Sequence, residues 1–235
     1  MPTDMLTMPS RFRPVLKNTT MGDVLTLDAS IDTTAIRKAV MDGRKMKVLP
    51  YAEWMKFSRD EIRMLLHETA TYVVPTEELI DYLDDLIGDE RTIEVGAGNG
   101  YIGSELDIKM TDSYQQKDDP LVVAYYKMMG QPTIKYPKSV IKMDAIKTAR
   151  NYRPHTILGC YLTHKWDEAT GCGNDKGIDF FELFAFVKRI ILVGNQKIHG
   201  FNPFMQVPHA EIELPGLLTR SMDDSTNRIY VWQKI

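Results

Sequence analysis

Thr92-Ile-Glu-Val-Gly-Ala-Gly-Asn-Gly100 is the stretch that decides how this chain folds. A short apolar run, Ile93 to Val95, carries one acid, Glu94, and runs straight into glycines at 96, 98 and 100. Glycine tolerates backbone angles and close approaches that a Cβ forbids. A strand that ends in such a loop and then opens a helix presents bare backbone to a nucleotide-like ligand. Gly96, Ala97, Gly98, Asn99 and Gly100 are therefore the first candidate binding residues, with Glu94 behind them.

The spacing narrows the ligand. The dinucleotide fingerprint is G-x-G-x-x-G. After Gly96 and Gly98 it needs a glycine at 101, which here is Tyr101, and Gly103 does not restore the pattern. A nicotinamide oxidoreductase is disfavoured on that ground. The pattern is instead E-x-G-x-G-x-G, and it resembles the first motif of class I S-adenosylmethionine (SAM)-dependent methyltransferases, a Rossmann-like superfamily. In that family the loop wraps the amino-acid part of the cofactor, which has no pyrophosphate to seat.

Two further acids follow in order. Ile108-Lys-Met-Thr111 reads as a second strand, and Asp112-Ser113 comes next. A carboxylate at the carboxyl end of such a strand can accept both ribose hydroxyls. Val140-Ile-Lys-Met143 reads as a third strand, followed by Asp144-Ala145. There the resemblance implies a contact from Asp144 to the adenine amino group, with Met143 and Ala145 flanking the ring. Aspartate is also favoured in turns and caps, so the ordered set of acids carries more weight than either aspartate alone.

Composition sets the class around this motif. The chain has 235 residues, 43% hydrophobic and 26% charged, with net charge -3, as for an ordinary globular protein. A sequence pI near 6.0 gives no global basic field for nucleic acid. Fourteen methionines read mostly as core filler. Two cysteines, Cys160 and Cys172, are too few and too far apart for a zinc site or a disulfide framework. No metal centre is expected, and reduced thiols point to a cytoplasmic protein. Met-Pro-Thr-Asp-Met-Leu at the start lacks a basic segment followed by an apolar one. No apolar run approaches the ~20 residues that span a bilayer, so no membrane partner is expected.

Outward from the motif, residues 1–57 read as a partly helical N-terminal extension, punctuated by Pro2, Pro9, Pro14 and Pro50, with only Thr33 to Met41 helical in pattern. An arm to a second copy of the chain and a cover over the cofactor both suit it. Residues 58–235 read as the methyltransferase-like domain. Ser58-Arg-Asp-Glu61 matches a capping box. Ile62, Leu65, Leu66 and Thr69 then share a helical face. Tyr72-Val-Val-Pro75 breaks that pattern, and Thr76 can cap a helix that stops at Gly88. In proteins of the resembled family this segment often closes over the methionine end, which makes Tyr72 and Thr76 candidate contacts.

After the glycine loop, Tyr101 to Leu106 leaves room for about two helical turns. Leu121 to Met129 reads as a helix, Thr156 to Tyr161 as a fourth, buried strand, Phe180 to Val187 as a helix and Arg189 to Val193 as a fifth strand. Strands alternating with helices imply an α/β, doubly wound, mostly parallel sheet. The resemblance adds two strands, a C-terminal antiparallel pair over His209 to Leu214 and Asn227 to Gln233, for a seven-stranded Rossmann-like sheet.

The fourth strand ends at Gly159-Cys-Tyr-Leu-Thr-His-Lys-Trp166, where the resembled family exposes the departing methyl to its acceptor. The Asn/Asp-Pro-Pro-aromatic tetrad of amide and DNA amino methylases is missing. Cys160 follows Gly159 rather than proline, which argues against a thiolate nucleophile. His164 is the candidate base because its ordinary pKa lies nearest neutrality, with Tyr161 beside it. The polar, glycine-bearing loop 163–177 is the candidate acceptor site, and Gly194-Asn-Gln-Lys-Ile-His199 is a second patch. The resemblance implies transfer of a methyl group to an unidentified acceptor, a small molecule or a protein or nucleic-acid group. A module that binds SAM without catalysis is the alternative that the missing tetrad raises.

Overall fold

The computed structural model describes residues 30–221 and 223–234. Its first elements are α1 (Thr34–Val40), a small hairpin of β1 (Met41–Asp42) and β2 (Lys45–Met46), and α2 (Tyr51–Trp54). The prolines at 2, 9 and 14, and most of the expected N-terminal arm, lie outside the described residues.

The next two helices form where the caps require. In α3 (Arg59–Glu68) the Ser58 side chain accepts from the Glu61 N–H, and Glu61 reaches back to the Ser58 N–H at 2.8 Å, the reciprocal arrangement of a capping box. Ile62, Leu65 and Leu66 are buried on one face of it. In α4 (Glu77–Ile87) Thr76 caps the start and Gly88, at φ 55°, ends the helix. Ile36, Val40, Met46 and Trp54 share one buried cluster with Ile62, Leu65, Leu66 and Val74, so the chain packs continuously across position 57.

The remaining elements are β3 (Thr92–Val95), α5 (Tyr101–Glu105), β4 (Lys109–Asp112), α6 (Gln115–Asp118), α7 (Pro120–Met128), β5 (Val140–Lys142), α8 (Ala145–Tyr152), β6 (Thr156–Cys160), α9 (Phe180–Phe186), β7 (Arg189–Asn195), α10 (Gln196–His199), β8 (Ala210–Ile212) and β9 (Asn227–Gln233). Seven strands form one sheet in the order β5-β4-β3-β6-β7-β9-β8. The first five are parallel, and β9 runs antiparallel to both β7 and β8. The chain moves outward from β3 to β4 and β5, then returns to lay β6 on the other side of β3. That reversal opens a crevice at the carboxyl ends of β3 and β6, where open α/β sheets bind ligands.

Two cores flank the sheet because strand side chains alternate between faces. Ile157, Ile190, Leu192 and Trp232 pack with Ala149 of α8 and Phe180 and Leu183 of α9. Leu158, Ile191, Val193 and Ile229 pack with Leu79, Leu83 and Ile87 of α4. Burial on both faces explains why the central strands read as continuous apolar runs. Helix α7 differs from the rest: it buries none of its residues, and Leu121 and Met128 stand 63% and 56% exposed. It belongs to a long connection, residues 113–139, that contributes Gln116, Tyr126, Ile134 and Tyr136 to the cavity described next.

Candidate ligand-binding site

A cavity of about 480 Å³ opens at the carboxyl ends of the strands. Its wall brings together the glycine loop through Gly96, Ala97, Gly98 and Asn99, the end of β4 through Asp112 and Ser113, and the end of β5 through Asp144 and Ala145. Glu94, Tyr72 and Tyr161 complete the set of sequence candidates that reach it. Gly100, Met143, Thr76 and His164 are outside the wall.

The glycine loop needs its glycines for two reasons. Gly96, Gly98 and Gly100 sit at φ 61°, 55° and 71°, the left-handed region that a Cβ disfavours. Space is also short: a Cβ on Gly96 would strike the Leu162 side chain, and one on Gly98 would lie 3.2 Å from Ile134 Cδ1. The loop is stapled from outside, where Asn99 Nδ2 donates to the Thr69 carbonyl at 2.9 Å and Ala97 N–H to the Thr111 carbonyl at 3.0 Å.

Glu94 is 1% exposed. Gly103 N–H donates to its Oε2 at 2.9 Å. Burial dominates over this bond and pushes the Glu94 carboxyl up to about 8, so it is largely neutral at pH 7. This also accounts for Gly103, which has no place in the binding motif: a Cβ there would lie 2.5 Å from Glu94 Oε2. Burial, then the neighbouring Glu94, raises the Cys160 thiol well above its usual value, which makes it a poor nucleophile.

Asp112 ends β4 and is 6% exposed. Its Oδ2 accepts the Gly98 N–H at 3.0 Å and its Oδ1 accepts the Tyr114 N–H at 2.8 Å. Burial is the largest influence and pushes this carboxyl up, against the pull of those donors. Asp144 caps α8, with Oδ1 accepting the Lys147 N–H at 2.8 Å. Helix cap and cavity wall are thus the same residue.

Several of the sequence candidates lie apart from the cavity wall. Thr76 is fully buried as the cap of α4, with its hydroxyl donating to the Gly216 carbonyl at 3.4 Å, so it does not reach the cavity. Met143, whose N–H donates to the Asp112 carbonyl at 2.9 Å, does not line the cavity. His164, expected as the base, is 5% exposed behind the cavity wall, and burial lowers its pKa. Backbone bridges pair His164 with Ile178 and Lys165 with Asn174, which extends this segment. Thr163 and Lys165 line the cavity and His164, between them, does not, as strand alternation dictates. The loop glycines serve this fold, since a Cβ on Gly173 would meet His164 Cδ2 at 3.0 Å and one on Gly177 would strike the His164 backbone.

Tyr161 does line the cavity, but its hydroxyl is turned aside. It donates to Thr219 Oγ1 at 2.9 Å, and Thr219 donates on to Asn227 Oδ1 at 2.9 Å. Burial raises the Tyr161 phenol to about 12. The second patch also fails to reach the cavity. His199 is 2% exposed, its Nδ1 accepts the Asn195 N–H at 2.9 Å, and burial lowers it to about 4.

The 113–139 connection supplies residues that the sequence reading missed. Gln116 is their hub, with Nε2 donating to the Tyr126 hydroxyl at 3.0 Å and Oε1 accepting the Ile134 N–H at 3.1 Å. The Tyr72 and Tyr126 hydroxyls are 2.9 Å apart, and Lys176 pairs with Asp119 at 2.7 Å, so both sides of the rim are tied to this connection. The available signal was its length together with Tyr114, Tyr125, Tyr126 and Tyr136. Among the described residues no three His, Cys, Asp or Glu side chains are grouped to hold a metal ion, and no helix is long and apolar enough to cross a membrane.

No protein-family model matches the chain, and no curated protein matches it. Among solved structures it is similar to magnesium protoporphyrin IX methyltransferase from Synechocystis PCC 6803 with bound SAM, at 12% identity over 87% of this chain and 98% of that one, with a TM-score of 0.37. An O-methyltransferase family protein from Burkholderia thailandensis matches at 9% identity over 86% and 68%, with a TM-score of 0.36. The 23S rRNA methyltransferase ErmE matches at 13% identity over 68% of each chain, with a TM-score of 0.36. These scores are too low for the ligands or substrates of those proteins to bear on this chain.

Proposed function

We propose that this chain binds SAM in the crevice between β3 and β6 and transfers its methyl group to an acceptor entering beside loop 163–177. One observation carries the reading: a glycine loop, Asp112 and Asp144, from three separate strand ends, meet in one cavity of about 480 Å³. That volume falls in the range of small-molecule sites.

The residues present suit the cofactor. The Ala97-Gly98 backbone would face the amino-acid end, with Glu94 close behind. Asp112 would hold the ribose diol, and Asp144 with Ala145 the adenine. When bound, the cofactor supplies an electrophilic methyl on a sulfonium. The chain's own part would be to orient it and keep water from it, a role that the apolar side chains of Leu162 and Ile134 and the ring of Tyr161 in the cavity wall suit. Lys165 and Thr163, which line the cavity, would face the acceptor.

A second reading, a SAM-binding module without transfer, is favoured by one specific finding. The two side chains best suited to take an acceptor proton, His164 and Tyr161, are respectively behind the wall and bonded to Thr219. Incubation with SAM and fractionated cell extract separates the two. Formation of S-adenosylhomocysteine above the rate without protein supports transfer. Tight binding with no product in any fraction supports the module.

A further inference from the structure

Glu94 is a carboxyl in the cavity wall with too few partners to be held as an ion. It lies on a central strand, paired with Met110 of β4 and Leu158 of β6, and only 1% of it is exposed. A carboxylate offers about four acceptor positions, and two or three backbone N–H donors hold a buried one ionised. Glu94 has a single such donor among the described residues, the Gly103 N–H at 2.9 Å. Among those residues no Lys, Arg or His side chain is ion-paired with it, and the bases of the cavity wall, Lys165 and Lys176, belong to the loop after β6. On the elements packed against Glu94, the titratable groups that reach the cavity are Asp112 on β4, Cys160 on β6 and Tyr101 on α5. Asp112 is a group of like charge. The other two are neutral at pH 7, since burial raises both the Tyr101 phenol and the Cys160 thiol. The surroundings therefore favour the protonated acid, in keeping with its rise to about 8.

A ligand that brings a cation into the cavity reverses that balance, because an opposite charge nearby favours the ionised carboxyl. We infer that Glu94 gives up its proton when a ligand bearing an ammonium group binds, so that uptake of the ligand is coupled to release of a proton to solvent. In this exchange the O–H bond of the Glu94 carboxyl breaks and its proton passes to the buffer. The ligand's ammonium keeps its hydrogens and pairs with the carboxylate that is left. The inference rests on the proposed placement of the cofactor's amino-acid end beside Glu94. Its consequence is a pH-dependent affinity. Below pH 8 the free protein must lose the proton to bind, so affinity for an ammonium-bearing ligand rises with pH, by about tenfold per unit, up to that value. A ligand that enters the cavity without an ammonium leaves Glu94 protonated and shows no such rise.

Calorimetry at pH 7 in two buffers of different ionisation enthalpy counts the protons released on binding. The probes are S-adenosylhomocysteine, which carries the ammonium, and methylthioadenosine, which keeps the nucleoside and thioether without the amino acid. The expected count is about one proton for the first and none for the second. Glu94→Gln keeps the size of the neutral side chain, so it should abolish the release and leave affinity for methylthioadenosine unchanged. Infrared absorption of the free protein gives a readout that needs no ligand: a carboxylic-acid C=O band at pH 7 that is missing in E94Q. Binding of S-adenosylhomocysteine without proton release would overturn the inference and leave the cofactor reading standing. Equal release with both ligands, or equal release in E94Q, would overturn it too, as would a free protein whose infrared spectrum matches that of E94Q. Binding of neither ligand would contradict the cofactor reading, and the coupling with it.

Discussion

Asp112 Oδ2 accepts the backbone N–H of Gly98 at 3.0 Å, across fourteen residues of sequence. This one bond joins the end of β4 to the loop that follows β3. The shape of the glycine loop and the position of the carboxylate are therefore one structure. A change at Asp112 acts on both.

Asp112→Asn should weaken SAM and S-adenosylhomocysteine binding by roughly ten- to a hundredfold, the scale of a lost charged hydrogen bond of ~1.5–3 kcal/mol. It should also lower stability by about 1–3 kcal/mol, since one backbone N–H would face the amide NH₂ instead of an acceptor. The strand-end acid is buried, so the fold does not ignore its loss. Calorimetry and urea unfolding on the same variant check both parts. Unchanged affinity would remove Asp112 from the binding site.

Two buried groups set opposite pH slopes on stability. The Glu94 carboxyl rises from 4.5 to about 8 on folding, so the folded state binds a proton that the unfolded state releases, and stability falls as pH rises between those values. The His199 imidazole drops from 6.5 to about 4, so stability rises with pH across that window. The two effects oppose one another between about pH 4.5 and 6.5. Above that range Glu94 acts alone, and stability should fall by roughly 2 kcal/mol by pH 8, at about 1.4 kcal/mol per unit. Glu94→Gln should flatten that fall in urea melts. An equal fall in the variant would show that Glu94 ionises normally.

Gly103→Ala puts a methyl 2.5 Å from Glu94 Oε2 and 2.6 Å from Met110 Cγ. Overpacking of this kind costs about 1–3 kcal/mol, and thermal or urea melts should show it. A neutral outcome would mean that Glu94 does not occupy the place it has here.

Tyr161→Phe should leave any methyl transfer within about twofold while lowering stability by about 1 kcal/mol, the net worth of a buried hydrogen bond. The reason is that its hydroxyl serves Thr219 rather than the cavity. A large loss of turnover with unchanged affinity would restore Tyr161 as the proton acceptor.

The parts of this fold that were legible in sequence are those governed by local rules. The capping box at Ser58, the stop at Gly88 and the loop at Gly96 to Gly100 all follow from short-range backbone chemistry. The central strands were legible because burial on both faces leaves an apolar run. What escaped depends on contacts distant in sequence. Helix α8 buries only Ala145, Thr148 and Ala149, residues too small to mark an apolar face. Burial of His164 is set by bridges to residues 172–178, and the hydroxyl of Tyr161 is claimed by Thr219, 58 residues away. Tyr126 and Tyr136 reach the cavity from a connection that carries no motif.

Titration of the purified chain with S-adenosylhomocysteine and, separately, with NAD is the most direct test of the central claim. The three strand ends that meet in this cavity predict one S-adenosylhomocysteine site per chain with micromolar affinity and no measurable binding of NAD. Binding of NAD with none of S-adenosylhomocysteine would contradict it.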